Sequence, residues 1–295
     1  MSKEKLGTTV SLVSGASFGA LAIFAKFSYA GGANIPSVLF LRFFCAALIF
    51  WIYFLLKGEK IAYERIVIVK LLLMGALGYG SMSAFYLLSV SRIPAALTGV
   101  LLYLYPAMVT IVTVMLRQER FNLYKGVALA ATFIGMLLVL GISFKNSDML
   151  GIIYGLCAPC VYTVYIVLGS RVVKPLDPLR ATMYIMTGAA IAYTCFGLFS
   201  GALSFSFSPF TWLMIAGIIL ISTILAVVCF WWGVALVGPS RASIISTVEP
   251  LVTVILAWVA FGEVLTGVQL VGGGLIMLGV IIQQQSDDIK AAAKM

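Results

Sequence analysis

LYPAMVTIVTVMLRQE at residues 104–119 returns as VEPLVTVILAWVAFGE at residues 248–263, an offset of 144 residues. One offset that serves many pairs of residues argues for duplication of a whole unit. We therefore expect one repeat over residues 1–145 and a second over residues 146–295. The paired residues are Pro106 with Pro250, Glu119 with Glu263, Gly135 with Gly279, and Leu6-Gly7 with Leu150-Gly151.

The composition is that of an integral membrane protein. Hydrophobic residues make up 62% of the chain and charged residues 10%, and the mean hydropathy is +1.13. Soluble domains have about 45–50% apolar and about 25% charged residues, so this apolar surface is too large for one aqueous core. We expect no cleaved leader, because the first apolar run is long enough to span a bilayer and no small-residue cleavage site follows it.

Ten apolar segments are long enough to cross the hydrocarbon core, which takes about 20 helical residues. The alternating pattern of a β-barrel is missing from them, so helices must satisfy the backbone hydrogen bonds in lipid. The sequence thus predicts an all-α membrane protein with ten transmembrane helices. The segments are residues 8–29, 35–56, 67–90, 95–116, 123–143, 149–170, 179–200, 209–236, 243–262 and 265–284.

Lys and Arg are distributed unevenly between the two sides of these segments. With the N-terminus inside, 15 of the 19 basic residues lie in inside segments and only Arg92 and Lys145 lie in outside loops. The positive-inside rule then predicts that both termini are cytoplasmic. The net charge of +9 has the same origin, so we expect no nucleic-acid partner.

Ten helices divide into two sets of five, and an odd number of helices reverses the second set. The two repeats are therefore expected to be inverted about an axis in the membrane plane, around a central cavity. Inverted repeats are typical of secondary transporters, whose substrate sites lie at the repeat interface near the midplane.

Pro106 and Pro250 each lie inside an apolar helix and each removes a helical hydrogen bond. In lipid this is tolerated where protein or a wet cavity satisfies the freed group. We interpret both prolines as bends that line a cavity or act as hinges. Static kinks that serve only packing are the alternative.

Glu249 is the acid that the segment assignment places well inside a membrane span. Buried charges in membranes usually face a cavity or a partner, so Glu249 is a candidate for proton coupling or for binding a substrate amine. The alternatives are a structural ion pair with Lys26 or Arg42, or a helix start that faces water. Its repeat counterpart is Tyr105, so this site is not symmetric.

Lys26, late in the first helix, and Arg42, early in the second, are predicted near the outer leaflet. Each is a candidate for coupling or for binding an anionic substrate group. Snorkelling to the interface or structural pairing is the competing interpretation for both.

Mid-helix tyrosines and tryptophans are candidates for the lining of the cavity, since their polar ends need partners. An aromatic lining suits an apolar ligand, or a cation bound over the rings. Packing is the competing interpretation for each residue, and hydroxyls in the ninth helix can bond within their own helix. The candidates are Tyr79, Tyr103, Tyr105, Tyr162, Trp231 and Ser246.

Enzyme chemistry has little support in the sequence. The chain has no histidine, and we find no paired catalytic carboxylates, phosphate-binding loop or nucleophile elbow. Cys157 and Cys160 have redox spacing but lie in an apolar helix, so we interpret them as inert. We expect no enzyme activity, no cofactor and no metal site.

These features together resemble the EamA type of the drug/metabolite transporter superfamily, over nearly the whole chain. The resemblance implies a ten-helix inverted-repeat bundle in the plasma (inner) membrane of a prokaryote, and export of amino acids or related metabolites. It also implies that the third, fourth, eighth and ninth helices flank the cavity. The matching residues are Lys26, Pro36, Arg42, Pro106 with Glu119, and Pro250 with Glu263.

We therefore predict a secondary transporter that exports small metabolites by alternating access, and amino acids or related metabolites are the leading substrate candidates. A facilitator or importer of a nucleobase, vitamin or sugar derivative is a second interpretation. A non-transporting scaffold or receptor is a third, and a channel is disfavoured because the embedded charges form no ring. The expected partners are a small-molecule substrate and membrane lipid. A monomer can enclose the cavity, and a homodimer is an open alternative.

Overall fold

The computed structural model describes residues 3–292, apart from 60–61, 91, 94, 119–120, 141–147 and 262–265. Ten helical segments, α1–α10, follow one another in the order that the apolar pattern predicts. The first five are α1 (Lys3–Gly19 and Leu21–Ala30), α2 (Ile35–Lys57), α3 (Arg65–Leu73, Met74–Gly80 and Ser81–Val90), α4 (Ala95–Leu102 and Tyr105–Met115) and α5 (Leu123–Leu140). The second five are α6 (Met149–Val173), α7 (Pro178–Ser200), α8 (Pro209–Ile219, Leu220–Leu225 and Ala226–Val237), α9 (Pro239–Ile245, Ser246–Val248 and Glu249–Phe261) and α10 (Gly267–Ala292).

Seven of these segments are individually long and apolar enough to cross a membrane. The other three, α4, α5 and α10, contribute shorter apolar helices at Tyr105–Met115, Leu123–Leu138 and Leu270–Ile282. The part of the chain that the structure describes contains no strand. The predicted all-α membrane fold is confirmed. We call the membrane face where α1 begins and α10 ends the terminal face, and the opposite one the distal face.

Glycine contacts between α5 and α10 show that a pseudo-two-fold axis relates the two repeats. A Cβ at Gly135 would lie 2.5 Å from the carbonyl oxygen of Gly272, and one at Gly279 would lie 2.8 Å from that of Ala128. The offset of 144 residues converts the first pair into the second. Reciprocal contacts of this kind are the signature of two-fold symmetry.

The first helix of each repeat packs on the other repeat. A Cβ at Gly7 of α1 would lie 2.9 Å from Leu236, and one at Gly151 of α6 would lie 2.9 Å from Arg92, the counterpart of Leu236. Gly15 likewise meets the backbone of Ser246. The small residues at the start of α1 and α6 therefore serve contacts inside the chain.

One ion pair on each face also joins the two repeats. On the terminal face Arg180 donates to Glu59 at 2.8 Å, and on the distal face Arg92 donates to Asp148 at 2.8 Å. These hydrogen bonds hold the pKa of both carboxyls below the usual range. Both pairs are well exposed, so we assign them little stabilisation.

Both proline-bearing helices are broken just before the proline. In α4 the helix stops after Leu102 and restarts at Tyr105, and in α9 residues Ser246–Val248 form a single 3-10 turn. The sequence-based start of α9 at residue 243 is wrong. Gly238, at φ 85°, ends α8, and Pro239 then takes the first turn of α9, where its missing N–H costs nothing. Pro250 is consequently midway along α9.

The third helix of each repeat contains a π-helical segment, at Met74–Gly80 in α3 and at Leu220–Leu225 in α8. The offset of 144 residues carries the first segment onto residues 218–224, so the two overlap. Such segments are rare and frequent at functional sites. The helix breaks and the π segments all lie near the middle of their spans.

The α5–α10 contact makes a testable prediction. Gly135→Ala and Gly279→Ala should each destabilise the protein by about 1–3 kcal/mol, because the new Cβ meets backbone atoms that cannot turn aside. Thermal unfolding in detergent measures the effect. Gly274→Ala in α10 is the matched control, since its Cβ meets nothing within 4 Å and should be neutral or stabilising. Equal melting temperatures for all three variants would contradict the packing.

Candidate functional site

Arg42 is a buried cation that contacts both π segments. From α2, its Nε donates to Oγ1 of Thr223 at 2.7 Å, and its Nη2 donates to the Tyr79 hydroxyl at 2.6 Å and to the Ser222 carbonyl at 3.4 Å. The guanidinium also lies 5.2 Å from the ring centroid of Phe43. Arg42 was predicted near the outer leaflet, with structural pairing as one interpretation, and the structure encloses it between helices of both repeats.

Glu249 lies at the restart of α9 and keeps part of its surface exposed although it is midway along the helix. The Tyr103 side chain lies beside its carboxyl group and interacts with it. No direct ion pair joins Glu249 to Arg42, although the two described residues interact electrostatically. Glu249 thus borders a space inside the bundle. The other groups that feel its charge are Tyr79, Tyr86, Tyr105 and Tyr162.

Stacked aromatic rings close this space on the terminal side of Glu249. The Tyr105 and Tyr162 centroids are 4.8 Å apart, and the Tyr162 and Tyr165 rings stack at 5.9 Å. Below them, the Trp231 indole donates to the Tyr165 hydroxyl at 2.9 Å. Trp231 is completely buried, so these rings form a solid floor.

The second half of α4 and the first part of α9 seal the same side. Thr110 and Ser240 share a hydrogen bond of 2.7 Å, and the Tyr105 hydroxyl donates to the Ser243 carbonyl at 3.4 Å. The symmetry-related parts, Ala95–Leu102 and Glu249–Phe261, do not pack on each other in a comparable way where the structure describes them. The terminal side is therefore closed, and its distal counterpart is not.

The distal end of α1 borders the open side. Tyr29 is 38% exposed, and its hydroxyl interacts electrostatically with Arg42 and Tyr86. Lys26 lies one helical turn earlier and is also exposed. Tyr29 therefore lies on the distal side of Arg42, the side on which α4 and α9 do not pack together where the structure describes them.

Most of the predicted site residues come together around this space. Ser246 is buried in the 3-10 turn of α9, beside the Tyr105 hydroxyl. Lys26 lies on the exposed side of α1. Glu119 and Glu263 lie outside the described residues. The residues brought together are Arg42, Tyr79, Tyr103, Tyr105, Tyr162, Trp231, Ser246 and Glu249, flanked by Pro106 and Pro250.

The sequence analysis missed Thr223 as a site residue. It is the repeat counterpart of Tyr79, because the offset of 144 residues joins the two positions, and this relation could have identified it. Tyr29, Tyr86 and Tyr165 were also not among the candidates, and no pattern in the sequence separates them from aromatics that only pack. Among the described residues the site offers the Arg42 cation, the Glu249 carboxyl group and many rings, an arrangement that suits the binding of a solute.

The model of the EamA-like transporter family matches the chain twice, at residues 5–141 and 149–283. An "Uncharacterized transporter" of Archaeoglobus fulgidus is 30% identical over 199 residues, which cover 68% of this chain and 70% of that protein. "Uncharacterized transporter YcbK" of Bacillus subtilis is 25% identical over 283 residues, covering 91% of this chain and 89% of the relative. These matches extend through both repeats.

A solved structure titled "Crystal structure of protein" has a similar fold. Its TM-score is 0.78 at 19% sequence identity, and the match covers 94% of this chain and 96% of that one. At this identity the likeness concerns the fold alone.

The aromatic floor makes a second prediction. Tyr165→Phe should lower the free energy of unfolding by about 1–3 kcal/mol, because it leaves the buried Trp231 N–H without an acceptor. The melting temperature of the purified protein measures this loss. Tyr124→Phe removes a hydroxyl from a tyrosine that is 46% exposed on α5, and serves as the control. If both variants melt together, the hydrogen bond does not stabilise the floor.

Proposed function

Since the chain belongs to the EamA-like transporter family, we propose that it carries small zwitterionic solutes by alternating access. Amino acids are the leading candidates. The observation that carries this proposal is a pair of opposite charges, Arg42 and Glu249, that lie around one internal space without a direct ion pair. A solute with both an anionic and a cationic group satisfies both charges at once. A solute with one charge leaves the other charge unpaired, which is costly in a membrane interior.

Arg42 is positioned to bind the anionic end. Its Nε and Nη2 are already engaged, and among the described residues the two N–H groups of Nη1 have no partner. A carboxylate accepts a charge-assisted hydrogen bond from such a group. The fixed guanidinium therefore orients the solute before the rest of the site closes.

Glu249 is positioned to bind the cationic end, and tyrosines surround it. The Tyr103 side chain lies beside its carboxyl group, and Tyr105 and Tyr162 interact with it electrostatically. Ring faces attract ammonium groups, and they also suit an apolar or aromatic side chain of the solute. This lining favours amino acids with larger side chains over small polar ones.

Alternating access is supported by the contrast between the two halves of the broken helices. The terminal side is closed by the Thr110–Ser240 bond and by the aromatic floor, whereas the distal side is open. Inverted repeats that exchange their conformations would open the first side and close the second. The breaks before Pro106 and Pro250 are the places where α4 and α9 can bend in such an exchange.

The uneven distribution of Lys and Arg supports a cytoplasmic terminal face, with both termini in the cytoplasm of a prokaryote. The open distal side then faces outward, which is the conformation that releases an exported solute. Net direction follows the gradients, so a facilitator of the same solutes uses the same site.

The substrate class is tested in proteoliposomes with three matched solutes. We expect saturable flux of phenylalanine, and much slower flux of phenethylamine, which lacks the carboxylate, and of phenylpropionate, which lacks the amine. Protein-free liposomes are the control. Equal flux of the single-charged solutes would overturn zwitterion recognition. Flux of none of a broad panel of amino acids would overturn the proposed function.

Glu249→Gln should raise the apparent KM for phenylalanine about 10- to 100-fold, since a charge-assisted contact contributes about 1.5–3 kcal/mol. Any dependence of flux on a pH gradient should disappear in the same variant, because the amide cannot carry a proton. Flux assays with and without that gradient measure both effects. Glu64→Gln, which neutralises an exposed carboxylate before α3, is the control. A Glu249→Gln variant with unchanged KM and pH response would refute the assigned role.

A further inference from the structure

Arg42 forms hydrogen bonds with equivalent positions of the two repeats. Tyr79 and Thr223 are separated by 144 residues, the repeat offset, and each hydroxyl oxygen accepts a hydrogen bond from the same guanidinium, at 2.6 and 2.7 Å. One side chain can meet two symmetry-related positions only if it lies near the pseudo-two-fold axis. The Arg42 side chain therefore links the two repeats and lies near the axis about which they are related.

The counterpart of Arg42 cannot form this bond. The same offset converts position 42 into Met186 of α7, which is fully buried and has no hydrogen-bond donor in its side chain. The backbone is thus symmetric around the axis, while the polar link across it is present on one side only.

Each π segment that carries one of these acceptors is also hydrogen-bonded to a further helix. The π segment of α8 is bonded to α1, because the Ser222 hydroxyl donates to the Ser17 carbonyl at 2.8 Å. The π segment of α3 is bonded to α7, because the Tyr193 hydroxyl donates to the Gly80 carbonyl at 2.9 Å. Through Tyr79 and Thr223, the guanidinium is therefore connected to helices of both repeats.

We propose that Tyr79 and Thr223 are positioning residues that hold Arg42 with Nη1 towards the solute and that favour the conformation open at the distal face. This rests on the proposed function, in which Nη1 binds the carboxylate. When the repeats exchange conformations, Met186 cannot rebuild the bond, so the link stabilises one of the two conformations. A solute bound at Nη1 is thereby sensed by both repeats.

Conformational populations test the link without any substrate. Spin labels at Leu88 on α3 and Val259 on α9, which are 44% and 70% exposed, report the distance across the distal side. Thr223→Val and Tyr79→Phe should each lower the ratio of the long-distance population to the short-distance population about tenfold, because each variant loses a bond that favours the open distal side. Thr223→Ser keeps the hydroxyl and should restore the original distribution.

Thr132→Val is the control, because it removes a buried hydroxyl that bonds only to the backbone of its own helix α5. Because both acceptors act through one guanidinium, the Thr223→Val/Tyr79→Phe double variant should shift the ratio by less than the sum of the two single effects. Unchanged distances in both single variants, or fully additive shifts, would overturn the proposal.

Transport kinetics give an independent readout. Thr223→Val should lower maximal phenylalanine flux about tenfold and change KM by less than about threefold, since the residue does not touch the solute. If the variants shift the spin-label distances but the wild-type protein carries no phenylalanine flux, the proposed function is refuted and the link between the repeats stands. Wild-type flux with no effect of Thr223→Val on distances or maximal rate would refute the link alone.

Discussion

One buried guanidinium connects the elements on which the site depends. Arg42 is enclosed by hydrocarbon-depth helices, so its charge is tolerated only with good partners. It obtains them from Tyr79 and Thr223, which two π segments place at the same depth. An ordinary α-helical turn would rotate these side chains differently around the axes of α3 and α8, so the irregular turns and the buried cation require each other.

The backbone carbonyls of the irregular segments face a second constraint. In lipid a carbonyl released from a helix must find another donor inside the protein. The donors here are side chains of neighbouring helices. Arg42 reaches the Ser222 carbonyl, Tyr193 that of Gly80, and Tyr105 that of Ser243. The same bonds that satisfy the backbone therefore also join the helices around the space, which couples local helix irregularity to the packing of the two repeats.

The ten spans and the two prolines could be predicted from the sequence, because long apolar runs and a repeat offset are local signals. The structure of the breaks could not. A proline marks where a helical hydrogen bond is lost, but neighbouring helices decide whether the helix continues, as through Pro159 in α6, or stops, as before Pro106. The enclosure of Arg42 could not be predicted for a related reason. Its distance from the start of α2 suggests the rim, yet the partners that enclose it belong to helices far away in the chain.

The symmetry of the backbone and the asymmetry of the polar residues have different physical origins. A pair of related conformations needs two repeats whose main chains can take each other's place, and close glycine contacts such as those of Gly135 and Gly279 preserve that equivalence. A single solute, however, has one orientation and unlike ends, so a site on the axis cannot recognise it with identical groups. Glu249 opposite Tyr105 and Arg42 opposite Met186 break the equivalence only at side chains. The chain thus keeps a symmetric backbone for movement, while Arg42 and Glu249, whose counterparts carry no charge, supply the charges that a polar solute needs.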